Sequence, residues 1–158
     1  MKPVGALMVM LGGVAVFFVF SSAQRRQLAY IRDLAAALTQ LAGEIRWKLL
    51  PLPEAIRHLC DRKLTGTLFR EIRFSLECGS TLQDAWIDAV QNLPGEVRDI
   101  LLPMEWGGDI KQQEESILYV ARQMRELGEK RASALRQREK LCAAAALSAT
   151  GLLVLILV

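Results

Sequence analysis

Residues 110–158 read IKQQEESILYVARQMRELGEKRASALRQREKLCAAAALSATGLLVLILV, forty-nine positions without a proline. Ile117, Ala121, Met124, Gly128, Ala132 and Leu135 recur at steps of three and four, the period of one helix face. The rhythm passes without a break into residues 141–158, which carry no charge. A continuous helix of about 50 residues would be ~75 Å long. It would belong to a polar body at one end and to an apolar medium at the other, and would couple the two rigidly. Gly107 and Gly108 interrupt the chain before it, and Asp109 offers a capping carboxylate.

The other end of the chain mirrors this pattern. Residues 4–23 are also free of charge, and at ~1.5 Å per residue they cover roughly the 30 Å of a bilayer's hydrocarbon. A cleaved signal peptide is the alternative, with Lys2 as basic start and Ser21 and Ala23 as a small-x-small site. The run is longer than the apolar core of such peptides, and Arg25, Arg26 and Arg32 follow it, where translocation disfavours them. A retained span is therefore expected at 4–23 and a second at 141–158. Lys130, Arg131, Arg136, Arg138 and Lys140, with Glu139 as the one acid among them, precede the second span. The positive-inside rule then places residues 24–140 in the cytoplasm and both termini across the membrane. Two spans that enter and leave on one side form a hairpin. Ala144 and Ser148, Ala145 and Ala149, and Ala146 and Thr150 give the second span a small-residue face. That face suits close packing on the glycines of the first span or on another subunit. A homo-oligomer stays open as an alternative.

Between the runs no alternating pattern survives, and no Asn-Gly or Asp-Gly hairpin turn occurs. Leu28, Ile31, Ala35, Leu38, Ala42, Ile45 and Leu49 make one stripe along a helix of about 25 residues, stopped by Pro51 and Pro53. Pro53 suits the first turn of a short helix through Glu54, Ile56 and Leu59. Leu64, Leu68, Ile72 and Leu76 predict a third helix ending at Gly79. Ser80 with Gln83 reads as a capping box opening a fourth through Trp86 and Leu93. Val97, Ile100, Leu101 and Met104 predict a fifth. The expected fold is all-α: about six helices flanked by two transmembrane helices, the last helix continuous with the second span.

Composition narrows the function. Of 158 residues, 52% are hydrophobic and the formal net charge is only +3, which disfavours both disorder and nucleic-acid binding by bulk charge. Charge is zoned. The basic collars, Arg25, Arg26 and Arg32 on one side and Lys130, Arg131, Arg136, Arg138 and Lys140 on the other, would lie against anionic headgroups of the lipid bilayer. The acidic stretch between them would meet a partner with a basic patch. Cys60, Cys78 and Cys142 are odd in number and widely spaced, so they read as small apolar residues rather than a disulfide framework. His58 is the lone histidine; with Cys60 and Asp61 it lacks metal-ligand spacing, and no nucleophile elbow or phosphate loop is present. Glu114 and Glu115 face different sides of a helix. Trp86 is expected in the core, whereas Trp47, off the stripe between Arg46 and Lys48, is a candidate exposed anchor. No enzyme, metal or cofactor is expected.

Several motifs occur in an order that resembles the stage III sporulation protein AB family: Glu44-Ile45, Pro51-Leu52-Pro53-Glu54-Ala55, Leu68-Phe69, Trp86, then Asp109 and Gln113 before a long helix and apolar tail. The resemblance covers nearly the whole chain. One departure is visible: the family has a glycine-rich stretch with a serine before the aspartate, where this chain has Met104-Glu105-Trp106-Gly107-Gly108-Asp109. The resemblance implies a mother-cell membrane protein of endospore formers, part of a secretion-like channel between mother cell and forespore. It also implies a soluble part similar to the helical domains of type II secretion F proteins. The partners it implies are a cytoplasmic secretion ATPase, the sporulation AA protein, and other channel subunits. A small oligomeric channel or pore is the second expectation, weakened by spans that carry no charge.

Overall fold

Two helices of nearly equal length frame the molecule, α1 (Lys2–Lys48) and α6 (Ile110–Leu157), of 47 and 48 residues. The computed structural model describes the backbone of residues 2–157 and the side chains of residues 22–142, 144, 145 and 148. Four short helices lie between: α2 (Leu52–Leu59), α3 (Gly66–Glu77), α4 (Leu82–Gln91) and α5 (Gly95–Leu101). Among the described residues there is no strand, and no helix is long and apolar enough to cross a membrane. The spans expected at 4–23 and 141–158 lie outside the described side chains, apart from residues 22, 23, 141, 142, 144, 145 and 148. The long last helix is present as expected. The first helix is equally continuous, passing from the first uncharged run through the predicted 25-residue segment without a break.

The long helices run antiparallel. Arg46 Nη1 reaches Glu114 Oε1 at 2.9 Å at one end, and Arg25 pairs with Glu139 near the other. Between these ties Gly128 of α6 lies over Leu28, Ile31 and Arg32 of α1. The short helices pass in an arc from α1 to α6, each packed on the next, and α5 closes the ring onto α6. The core fills this ring. Ile31, Leu34, Leu38, Leu41, Ile56, Leu59, Phe69, Ile72, Trp86, Leu101, Met104 and Ile117 are all essentially inaccessible to solvent. Each such side chain contributes roughly 1.5–3 kcal/mol by leaving water.

Local chemistry explains most boundaries. Leu49, at φ 49°, turns the chain out of α1 in the left-handed region. The Pro51 carbonyl then accepts the N–H groups of Glu54 and Ala55 to start α2. Gly79, at φ 91°, ends α3: its N–H donates to Leu76 O and that of Ser80 to Ser75 O, the paired bonds of a Schellman motif. The expected Ser80/Gln83 box is displaced by one residue. Thr81 is the cap of α4, with Oγ1 accepting from the Asp84 N–H. Gln83 instead accepts from the Trp106 N–H at 3.0 Å and ties the loop before α6 to α4. Leu64 precedes α3 and is exposed, because the chain uses residues 60–65 to cross from α2. Cys60 is buried as expected of a small apolar residue, but Cys78 and Cys142 are exposed.

Candidate functional site

Three features distinguish this bundle from a plain helical core: a polar seam along α1, an exposed apolar tip, and a basic zone next to the uncharged runs. The seam begins at Asp33, on the edge of the α1 stripe. Arg62 donates to its Oδ1 from Nε at 3.1 Å and from Nη2 at 2.6 Å. Thr65 donates to Oδ2 from its backbone N–H at 3.2 Å and its hydroxyl at 2.7 Å. The same guanidinium donates from Nη1 to Gln40 Oε1 at 2.9 Å, and Gln40 Nε2 donates onward to Glu44 Oε1 at 3.1 Å. Glu44 is buried; His58 Nδ1 lies 3.0 Å from its Oε2, and Lys48 Nζ lies 3.6 Å from Oε1. One chain of polar contacts thus rivets α2 and the α2–α3 crossing to α1.

Electrostatics follow the geometry. Burial alone would raise the pKa of Asp33, but the hydrogen bonds from Arg62 and Thr65 and the Arg62 charge outweigh it and hold the carboxyl below its ordinary value. Glu44 behaves alike: burial pushes up, and the bonds from Gln40 and His58, with the His58 and Lys48 charges, pull it below normal. Tyr30 is pushed up to about 12, mainly by burial and then by the neighbouring Glu71 and Asp33 charges. Burial likewise raises the Cys60 thiol. These carboxylates are thus kept ionised and fully engaged in structural bonds, not poised for proton transfer. Among the described residues no group of His, Cys, Asp or Glu is placed to hold a metal.

The tip lies at the end of α1 and the start of α6, joined by Arg46 and Glu114. Trp47 is 78% exposed, Leu49 73% and Ile110 52%. Arg46 lies over the Trp47 ring at 5.0 Å, a cation–π contact that holds the indole outward. The expectation of an exposed Trp47 therefore agrees with its position. Counted from Gln24, the tip stands about 36 Å beyond the first uncharged run at ~1.5 Å per residue.

Glu44, Pro51, Pro53, Trp86, Asp109 and Gln113, on which the sequence resemblance rests, lie at joints of the fold. Glu44 is the buried anchor of the seam. Pro51 caps α2 and Pro53 occupies its first turn. Trp86 is buried, donates from Nε1 to Leu101 O at 3.1 Å, and meets Trp106 edge-on at 5.0 Å between centroids. Asp109 Oδ1 accepts the Ile110 N–H, and its carbonyl accepts the Gln113 N–H, so these two positions together start α6. Gly108, at φ 92°, takes the left-handed backbone that turns the chain into α6. Sequence alone does not reveal the Asp33–Arg62–Thr65 cluster. Its one trace there is an acid beside Ile31 and Leu34, on a helix edge that proves largely covered.

In the basic zone the eight collar residues divide. Arg25 is paired with Glu139, and Arg131 donates to Glu96 Oε2 at 2.7 Å and to Gln27 Oε1 at 3.2 Å. Arg26, Arg32, Lys130, Arg136, Arg138 and Lys140 form no ion pair with the described residues.

Residues 2–158 match the model of a family described as stage III sporulation protein AB. No curated protein and no solved structure matches the chain.

Proposed function

The chain belongs to the stage III sporulation protein AB family, and on that premise we propose that it is a non-enzymatic membrane platform in a sporulation-specific, secretion-like channel complex between mother cell and forespore. In this reading residues 4–23 and 141–158 are spans in the mother-cell membrane, and residues 24–140 form a body on its cytoplasmic face, comparable to the helical domains of type II secretion F proteins. The tip bearing Trp47, Leu49 and Ile110 docks a cytoplasmic secretion ATPase, the sporulation AA protein, and other channel subunits surround the spans.

One observation carries the reading. Both long helices run unbroken from an uncharged stretch of sequence to the opposite end of the body, and ion pairs tie them together near both ends of the described stalk. A pull or rotation at the tip is then delivered to the apolar ends without a hinge between. Exposed apolar residues at the far end supply the contact area, with Trp47 as the anchor type that dominates interfaces. The test is site-specific photocrosslinking in sporulating cells, with the reactive group at position 47 and, as a control, at exposed Phe74 on α3. Capture of the ATPase from position 47 and not from 74 is expected. Capture of a partner from the opposite compartment, or capture from 74 alone, overturns the proposal.

A further inference from the structure

The collar is not a uniform ring of charge. On the side facing α5, Glu96 and Gln27 take up Arg131 and leave Arg138 as the one uncommitted cation of the hollow they line. On the other side a groove between α1 and α6 is lined by Arg32, Ser133, Arg136 and Lys140, with Glu129 at its far end. A second hollow continues it past Arg25, which is already spent on Glu139. Arg32, Arg136 and Lys140 have no carboxylate partner among the described residues, and all three are exposed. Arg136 and Lys140 are one helical turn apart on α6 and therefore share a face. Lys140 is the residue immediately before the second uncharged run.

We propose that this groove is a binding site for the phosphate of an anionic phospholipid headgroup, held by Arg32, Arg136 and Lys140. The inference rests on the membrane reading above and adds to it a side: the body would lean on the bilayer with this groove toward the lipid. Guanidinium groups give planar, forked donation to phosphate oxygens, and the Lys140 ammonium adds a point charge at the level where headgroups begin. Elsewhere in the body six of the eleven cations have an acid beside them, Arg46, Lys48, Arg57, Arg62, Arg73 and Arg98. Three uncommitted cations in one groove next to the apolar runs are thus a distinct arrangement.

The experiment uses the full chain reconstituted in vesicles of phosphatidylcholine with a minor fraction of spin-labelled phosphatidylglycerol, or of spin-labelled phosphatidylcholine as reference. The measured quantity is the fraction of labelled lipid immobilised by the protein. The triple variant Arg32→Gln, Arg136→Gln, Lys140→Gln is compared with Arg26→Gln, Lys130→Gln, Arg138→Gln, which removes the same charge from elsewhere on the collar. Circular dichroism melts confirm that both variants fold. The first variant is expected to lose phosphatidylglycerol selectivity by about fivefold or more, and the second to keep most of it. Equal loss in both would overturn the groove and leave an undifferentiated collar. Binding of inorganic phosphate to the wild-type chain without any selectivity for labelled phosphatidylglycerol over phosphatidylcholine would assign the groove to a free anion and overturn the lipid assignment. Failure of the wild-type chain to float with either vesicle would remove the membrane reading itself, and this site with it.

Discussion

Replacing Asp33 with alanine strikes the bundle where one carboxylate accepts two hydrogen bonds from Arg62 and two from Thr65. Hydrogen bonds to a charged group are worth about 1.5–3 kcal/mol each, but four on one carboxylate are not additive. Breaking a fully buried pair costs about 3–5 kcal/mol. Here the Asp33 and Arg62 side chains keep 21% and 23% of their exposure, so water recovers part of the loss and about 2–3 kcal/mol is the expected penalty. For a chain of this length that lowers the melting temperature by roughly 4–12 °C. The assay is thermal and urea unfolding of the full chain in detergent, followed by helical circular dichroism, with Arg62→Ala and the double variant completing a cycle. The single variants should be non-additive by at least ~1 kcal/mol.

Acid provides a second arm of the same test. The folded Asp33 pKa lies below the unfolded one, so its stabilisation is complete above the ordinary carboxylate pKa and fades as pH falls through the folded value. The gap between wild type and Asp33→Ala should be constant near neutrality and shrink below about pH 4. Glu44 titrates in both proteins and cancels. A penalty under ~0.5 kcal/mol, or a gap that widens in acid, would refute the view that the seam fastens the short helices to α1.

Two glycine substitutions should have opposite signs. A Cβ at Gly66 would lie 2.5 Å from the backbone oxygen of Cys60, so Gly66→Ala should cost about 1–3 kcal/mol. Gly43→Ala, with nothing within 4 Å inside α1, should gain up to about 1 kcal/mol; equal shifts by calorimetry would contradict this geometry. Ser133→Pro, in the exposed middle of α6, removes a helix bond at a local cost of about 3 kcal/mol. It should leave vesicle flotation intact but abolish heat-resistant spores, and normal sporulation with this variant would count against rigid transmission.

Much of this architecture is visible in the residues themselves. Prolines 51, 53 and 94 and glycines 79 and 108 stand at element boundaries because their backbone limits act locally. The α1 stripe was legible only in part. Leu34, Ala37 and Leu41 are as buried as Ile31 and Leu38 because α1 is covered by α6 on one side and by α2 with its crossing on another, which a single-face pattern does not convey. The cap of α4 slipped by one residue because Ser80 and Thr81 are equally able to cap, and the Schellman turn at Gly79 uses the Ser80 N–H. The seam stayed hidden because Asp33 and Arg62 are 29 positions apart and meet only when α2 folds back on α1. Collar charge could be counted from sequence. Which cations are already spent depends on whether Glu96 and Glu139 come within reach, a tertiary fact.

In the proposed arrangement the helical body lies on the cytoplasmic face of the membrane, and Cys78 offers a direct reading of its side. It is exposed on the body at the end of α3, while Cys60 is buried. With Cys142 replaced by serine, protoplasts are treated with a membrane-impermeant maleimide before and after permeabilisation. Cys78 should stay unlabelled in intact protoplasts and react once the membrane is opened; full labelling beforehand would contradict a cytoplasmic platform.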